Sequence, residues 1–223
     1  MSEQKTSSVS SAVGALGNVK IPDSKMAREL TRLIRDTESD LLFNHSTRVY
    51  LFGALTGQRK GLKFDPELLY VGAMFHDIGL TEDYRTSMIR FEIDGANTAR
   101  DFLLERDVDE AAARLVWLSI ALHTTPGVPE FLEPEIALVT AGVETDNMAI
   151  GRGDLSSQEI QAVTATHPRP DFKNRILRAF TDGMRHRPRT TFGTMNAAVL
   201  QHFDDSFVRD DFVEIILNSS WPE

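Results

Sequence analysis

Residues 65–79 have the sequence DPELLYVGAMFHDIG, and this stretch decides the fold. Asp65 suits a helix N-cap, Pro66 suits the first helical position, and Glu67 suits the positive end of the helix dipole. Residues 68–75 are apolar on nearly every side, a pattern typical of a helix that other elements surround. The stretch therefore predicts a central, buried helix that begins at residue 66.

Helical periodicity continues through most of the chain, and no strand-like alternation competes with it. We predict an all-α protein, a single helical bundle with a catalytic domain over residues 21–223. Residues 1–20 have the composition of a flexible arm. Helices are expected over residues 25–38, 39–55, 66–77, 94–105, 109–123, 171–185, 190–203 and 207–217, with two more starting near residues 133 and 156. Asp94 is expected to be the N-cap of its helix, and Ser156 with Glu159 is expected to form a capping box.

Composition excludes several classes of function. The net charge of -9 and the absence of a basic stripe argue against nucleic-acid binding. There is no apolar run of roughly 18 residues, the length that a membrane span needs. The chain has no cysteine, so any metal must be held by nitrogen and oxygen ligands. No secretory signal is visible, and we expect a cytoplasmic protein.

Four side chains that can bind a metal fall on inward-facing helix positions. They are His45, His76, Asp77 and Asp146. Taken alone, each has an ordinary explanation, since a histidine on an apolar face is more often a hydrogen-bonded core residue than a ligand. Taken together, they favour a bound metal, which compensates the desolvation of all four groups at once.

The adjacent pair His76 and Asp77 sets a geometric condition. Neighbouring residues within a helix point about 100° apart, so both reach one ion only where the backbone bends at the helix end. Imidazole and carboxylate ligands suit Zn²⁺, Fe²⁺ or Mn²⁺. So few protein ligands leave room for water, which is typical of a catalytic site.

The order His45, His76-Asp77, Asp146 on helices resembles the HD-domain superfamily of metal-dependent hydrolases. Further strings are similar to the cyanamide hydratase group of that superfamily, over roughly residues 40–175. These strings are NHSTRVY (44–50), FHDIGLT (75–81), RFEIDGAN (90–97) and HTTP (123–126).

The resemblance implies that the protein hydrates cyanamide, or a similar small nitrile, to urea with one divalent metal ion, for which zinc is expected. The metal would activate water for attack on the nitrile carbon. Asp77 is expected to serve as ligand and proton relay, and His123 as proton donor unless it is only a core histidine. Glu92, Asn97 and Thr124 are candidates for substrate binding.

Two other functions stay open at this point. An HD-type phosphohydrolase acting on a nucleotide or other phosphate ester needs cations around the phosphoryl oxygens, so convergence of Arg90 and Lys63 on the metal would favour it. A non-catalytic scaffold would carry no stoichiometric metal. The expected partner is a small molecule, with neither nucleic acid nor membrane, and apolar residues such as Phe207 and Trp221 are compatible with a homodimer.

Overall fold

The computed structural model describes residues 16–221, and this part of the chain is all-α, with ten α-helices and no strand. The prediction of the fold class is confirmed. The helices are α1 (Lys25–Thr37), α2 (Asp40–Arg59), α3 (Pro66–Phe75), α4 (Phe91–Leu104), α5 (Glu110–Ala121), α6 (Pro134–Met148), α7 (Ser157–Thr166), α8 (Phe172–Met184), α9 (Asn196–Phe203) and α10 (Phe212–Leu217).

Helix α3 lies at the centre of the bundle, as its apolar sequence predicts. It packs against α1, α2, α4, α5 and α6, and residues 69–75 are all buried. Its N-terminus is capped by the Asp65 side chain, which accepts hydrogen bonds from the backbone N–H groups of Glu67 and Leu68. The surrounding helices fix the place where α3 ends, and that end carries the histidine–aspartate pair.

Helices α2 and α6 run antiparallel in close contact. A Cβ atom added to Gly53 would lie 2.5 Å from the carbonyl oxygen of Leu138, and one added to Gly142 would strike the carbonyl oxygen of Val49. Glycine at both positions therefore lets the two backbones approach. Contacts recur every four residues along the crossing, at Gly53–Leu138, Val49–Gly142 and His45–Asp146.

Helix α4 begins earlier than predicted, at Phe91, and its N-cap is Arg90. Asp94 is not the N-cap but an interior residue of the helix, so the capping prediction is wrong. The Asp94 carboxylate pairs with the buried guanidinium of Arg187 and accepts a hydrogen bond of 2.9 Å from the Ser87 hydroxyl. A partner far along the chain, invisible to local pattern, therefore fixes this aspartate inside the helix.

The last two helices are shorter than predicted. Helix α9 starts at Asn196, because Gly193 adopts φ +71° and interrupts the segment after a short turn over Pro188–Thr191. Helix α10 starts only at Phe212, with the Asp211 side chain capping it. The capping box predicted at Ser156 with Glu159 is confirmed at the start of α7.

Most of the predicted arm, residues 1–15, lies outside the described residues. Its last part contacts the core, since Val19 is buried and the Tyr50 hydroxyl donates a 2.7 Å hydrogen bond to the carbonyl oxygen of Lys20. Near the other end, Trp221 is exposed, whereas Phe207 packs partly against α8 and α9 neighbours. Within residues 16–221, no helix combines the length and apolarity needed to span a membrane.

Candidate metal centre

His45, His76 and Asp77 meet at one buried point. Each offers one ligand atom, and the three atoms lie within 4.8 Å of one another. The Nε2 atoms of His45 and His76 are 3.2 Å apart. An Asp77 carboxylate oxygen, Oδ2, lies 3.2 Å from Nε2 of His76 and 3.6 Å from Nε2 of His45.

The end of α3 brings the adjacent His76 and Asp77 to the same point. His76 still has helical backbone angles, whereas Asp77, at φ −108° and ψ 3°, has left the helix. The bend that the sequence required is therefore present. Gly79 keeps the following turn close to α4, because a Cβ there would strike the carbonyl oxygen of Phe91.

Hydrogen bonds set the tautomers of the three histidines around this point. Nδ1 of His76 lies 2.7 Å from the backbone carbonyl oxygen three residues before it, and Nδ1 of His123 makes the same contact at 2.7 Å. Nδ1 of His45 lies 2.6 Å from an Asp146 carboxylate oxygen. Because these oxygens accept, each Nδ1 donates, and in the neutral ring each Nε2 is left with a lone pair.

The donor set fits a divalent cation. The nitrogen lone pairs of His45 and His76 face each other, an arrangement that is repulsive without a positive charge near them. Both Asp77 carboxylate oxygens are buried and lack a hydrogen-bond partner among the described residues. Burial raises the pKa of Asp77, but His76 and then His45, when they carry a proton, outweigh burial and lower the pKa to about 2, so the group is anionic. A buried, unpaired carboxylate beside two bare imidazole nitrogens is the chemistry of a metal site.

His123 lies next to this group. Its Nε2 atom is 3.7 Å from Oδ1 of Asp77, and its ring packs edge-on against the His76 ring with centroids 4.9 Å apart. Burial, reinforced by His76, lowers the pKa of His123 to about 4. At neutral pH the imidazole is therefore uncharged and can accept a proton at Nε2.

Asp146 lies behind His45, on the Nδ1 side of the ring, and outside the group of three. Its carboxylate is bound by the buried Arg48 guanidinium at 2.9 and 2.8 Å. Burial raises the pKa of Asp146, but His45 and Arg48 lower it by more. In this arrangement Asp146 orients His45, as carboxylates commonly do for metal-binding histidines. Direct ligation by Asp146 stays a prediction.

The three candidates for substrate binding occupy different places. Glu92 is buried, and its Oε1 atom accepts hydrogen bonds from the Thr124 hydroxyl and, at 2.9 Å, from Asn196. Thr124 lines the cavity described below, next to His123. Asn97 is not brought into the site, because its side-chain oxygen accepts a 2.9 Å hydrogen bond from the Trp117 indole.

A cavity of about 330 Å³ opens from the metal centre. His76, Asp77, His123 and Thr124 form one end of it, and most of the remaining wall is apolar. Sequence reasoning missed the residues of α8 and α9 in this wall. The signal was present in the apolar spacing of Phe172, Ile176 and Phe180. The wall residues beyond that end are Pro126, Val143, Glu144, Asn147, Met148, Phe172, Lys173, Ile176, Leu177, Phe180, Met195, Asn196 and Val199.

The two cations named as a test of phosphate chemistry do not converge on the metal centre. Lys63 is exposed and lines a different surface depression. Arg90 is near Thr124, but its guanidinium pairs with Glu92 at 2.9 Å. Lys173 is the one lysine or arginine among the residues that line the cavity.

Comparison with known families agrees with this geometry. The HD domain model matches residues 42–154, which include His45, His76, Asp77, His123 and Asp146. The chain belongs to the HD-domain family, which indicates a metal-dependent hydrolase. No curated protein matches the chain.

Proposed function

We propose that the protein adds water to a small uncharged substrate with a carbon–nitrogen triple bond, namely cyanamide, which would be hydrated to urea, or a similar nitrile. One observation carries this proposal: the His–Asp centre opens into a cavity with an apolar wall and a single cationic lining residue, Lys173. Such a site is suited to a neutral organic molecule, and its polar groups gather at the end where the reaction takes place.

His45, His76 and Asp77 would hold the metal, for which we propose zinc. Asp146 is proposed as a further ligand only in exchange for its hydrogen bond to Nδ1 of His45, because that bond places its carboxylate on the side of the ring away from Nε2. When bound, a divalent metal lowers the pKa of water towards neutrality and so supplies a nucleophile at pH 7. The hydrogen bonds at each Nδ1 keep the rings of His45 and His76 in the ligating orientation. These residues would thus hold the metal in place before substrate binds.

His123 is placed to move the protons that hydration requires. Water loses a proton as it attacks the nitrile carbon, and the nitrogen of the triple bond gains one. The bare Nε2 atom of His123, beside Oδ1 of Asp77, can take up the first proton and deliver it to the nitrogen. Thr124, held by its hydrogen bond to Glu92, presents its hydroxyl oxygen beside His123.

Phosphate ester hydrolysis is the second candidate, and membership of the HD-domain family supports it. Such a substrate would bring negative charge next to Asp77 and Glu92. The nearby cation Arg90 is already paired with Glu92, so beside the metal itself Lys173 is the one lining lysine or arginine that would compensate this charge. The cavity therefore favours the neutral substrate.

A direct comparison of the two reactions tests the proposal. The protein is freed of metal with a chelator, reloaded separately with Zn²⁺, Fe²⁺ or Mn²⁺, and given either cyanamide or a panel of nucleoside monophosphates. We expect metal-dependent urea formation and no phosphate release. Phosphate release without urea would replace the proposal by the second candidate.

A further inference from the structure

The cavity beside the metal centre is much larger than cyanamide requires. Its volume of about 330 Å³ would hold roughly ten water molecules at ~30 Å³ each. Cyanamide, N≡C–NH₂, would fill only a small part of that space. The unused part of the cavity points to a larger substrate.

The wall of this extra space is apolar and comes largely from two helices. Phe172, Ile176 and Phe180 follow one another every four residues and form a stripe along α8. Met195, directly before α9, and Val199 of α9 continue the same wall. Water gains few hydrogen bonds in such a space, so an apolar group displaces it favourably.

The polar end of the cavity is the part at the metal centre, where His76, Asp77, His123 and Thr124 line it. The other polar lining residues are Glu144, Asn147, Lys173 and Asn196, of which Asn196 donates to Glu92. The wall begins directly at the metal centre, because the Phe172 ring lies 5.4 Å from the His45 ring. The cavity thus has reactive groups at its polar end and a wall that is mostly apolar.

We propose that the natural substrate is a nitrile or substituted cyanamide with an apolar substituent of several carbon atoms, and that α8 and α9 select it. This inference rests on the proposed function. The triple bond lies at the polar end, and the substituent packs along the stripe of Phe172, Ile176 and Phe180.

The selecting helices lie outside residues 42–154, the part that the family model matches. They are nevertheless connected to the segments around the metal centre by Arg187, which is buried just beyond the end of α8. Its guanidinium donates to the carbonyl oxygens of Gly79 at 2.6 Å and Ile89 at 2.8 Å, and it pairs with Asp94. The family core supplies the chemistry, and the added helices supply the specificity.

A substrate series tests this inference on the zinc-loaded full chain. Cyanamide, dimethylcyanamide, diethylcyanamide and phenylcyanamide share one reactive group and differ in apolar size. We expect kcat/KM to rise about three- to fourfold for each methylene that becomes buried, and at least tenfold between cyanamide and diethylcyanamide. A steady fall of kcat/KM with size would overturn the inference.

Variants in α8 locate the selecting wall. In Ile176→Trp, which fills the cavity, the ratio of kcat/KM for diethylcyanamide to that for cyanamide should fall at least tenfold. The matched control is Arg178→Ala, an exposed change on the same helix, which should leave the ratio unchanged. If Ile176→Trp does not fold, Leu177→Phe tests the same wall. An equal loss with both substrates would contradict the assigned role.

Binding of phenylcyanamide separates failure of this inference from failure of the proposed function. If cyanamide is hydrated but larger substrates are not preferred, this inference fails and the function stands. If nothing in the series is hydrated, the function fails, and calorimetric binding of phenylcyanamide that Ile176→Trp abolishes still supports an apolar ligand. Absence of binding would overturn both.

Discussion

At the scale of single residues, the metal centre is defined by where hydrogen bonds are made and where they are missing. The Nδ1 atoms of His45, His76 and His123 are all engaged, whereas their Nε2 atoms face one region. Asp77 in that region has no hydrogen-bond partner among the described residues. Folding thereby brings together a negative charge and nitrogen lone pairs, a combination that a bound cation would satisfy.

Replacement of His76 by alanine should remove metal and activity together. His76 offers one of the three ligand atoms of the group, and its loss would leave too few donors to hold the ion. Metal content by mass spectrometry, far-ultraviolet circular dichroism and urea formation measure the effect. His202→Ala, an exposed histidine, is the control. Full metal occupancy in His76→Ala would contradict the ligand assignment.

Replacement of Arg48 by methionine should destabilise the metal-free protein by about 3–5 kcal/mol. The change removes the guanidinium that binds both oxygens of the buried Asp146 carboxylate and leaves it with Arg169 and His45, and loss of one member of a buried pair is costly. Urea denaturation measures the free energy of unfolding.

The matched control for Arg48→Met is Arg85→Met, whose pair with Glu82 is exposed. It should change the free energy of unfolding by less than about 1 kcal/mol. Addition of Asp146→Asn to Arg48→Met should recover part of the stability, because it removes the buried charge that Arg48 compensated. Equal effects of the two arginine variants would contradict this account of Arg48.

At the scale of helices, the crossing of α2 and α6 determines how His45 meets Asp146. Gly53 and Gly142 permit the close approach, and the contact of His45 with Asp146 is the next one along the same crossing. A wider crossing would separate the imidazole from the carboxylate that orients it. Packing between helices is thus coupled to the geometry of the site.

Gly142→Ala should destabilise the protein by on the order of 1–3 kcal/mol and weaken metal binding. Alanine favours a helix interior over glycine by about 1 kcal/mol, but here its Cβ would strike the backbone oxygen of Val49, which moves only with its helix. Thermal unfolding and competition with a metal chelator measure the two effects. Gly153→Ala, with open space around it, is the control and should be neutral.

The sequence predicts well those features that depend on local pattern. The cap at Asp65, the apolar run that follows it and the bend after His76 are all set by neighbouring residues. The prediction that Asp94 is an N-cap was wrong because its partner inside the protein, Arg187, is distant in the chain. The cavity wall was missed for a related reason, since apolar periodicity shows that α8 is buried but not what its face is buried against.

At the scale of the whole molecule, a family core is extended by C-terminal helices. Residues 42–154 carry the metal centre, and α8 and α9 close the cavity over it. The segment between α7 and α8 contacts the core through Arg48, which donates to the carbonyl oxygens of His167 and Pro168 at 3.1 and 3.0 Å. Stability of the core and shape of the cavity therefore depend on each other.

Protonation of His167 at low pH should destabilise the metal-free protein. Burial, followed by the charges of Arg48 and Arg35, lowers the pKa of His167 to about 4. The unfolded chain binds this proton near pH 6.5, so the stabilisation is complete above that pH and is lost as pH falls towards 4.

Denaturation at several pH values measures this dependence. His167→Gln should reduce the slope of unfolding free energy against pH between 6.5 and 4, by up to about 1.4 kcal/mol per pH unit for one proton. The exposed His202→Gln should leave the slope as it is. An unchanged slope in His167→Gln would show that His167 is not the group responsible.

Whether the zinc-loaded metal centre hydrates cyanamide is tested most directly by titrating metal-free protein with zinc and measuring urea formation and zinc content on the same samples. The rate should rise in proportion to bound zinc and saturate at one ion per chain. His76→Ala should show neither zinc binding nor turnover. Zinc bound at one ion per chain without urea formation at any occupancy would contradict the proposed reaction.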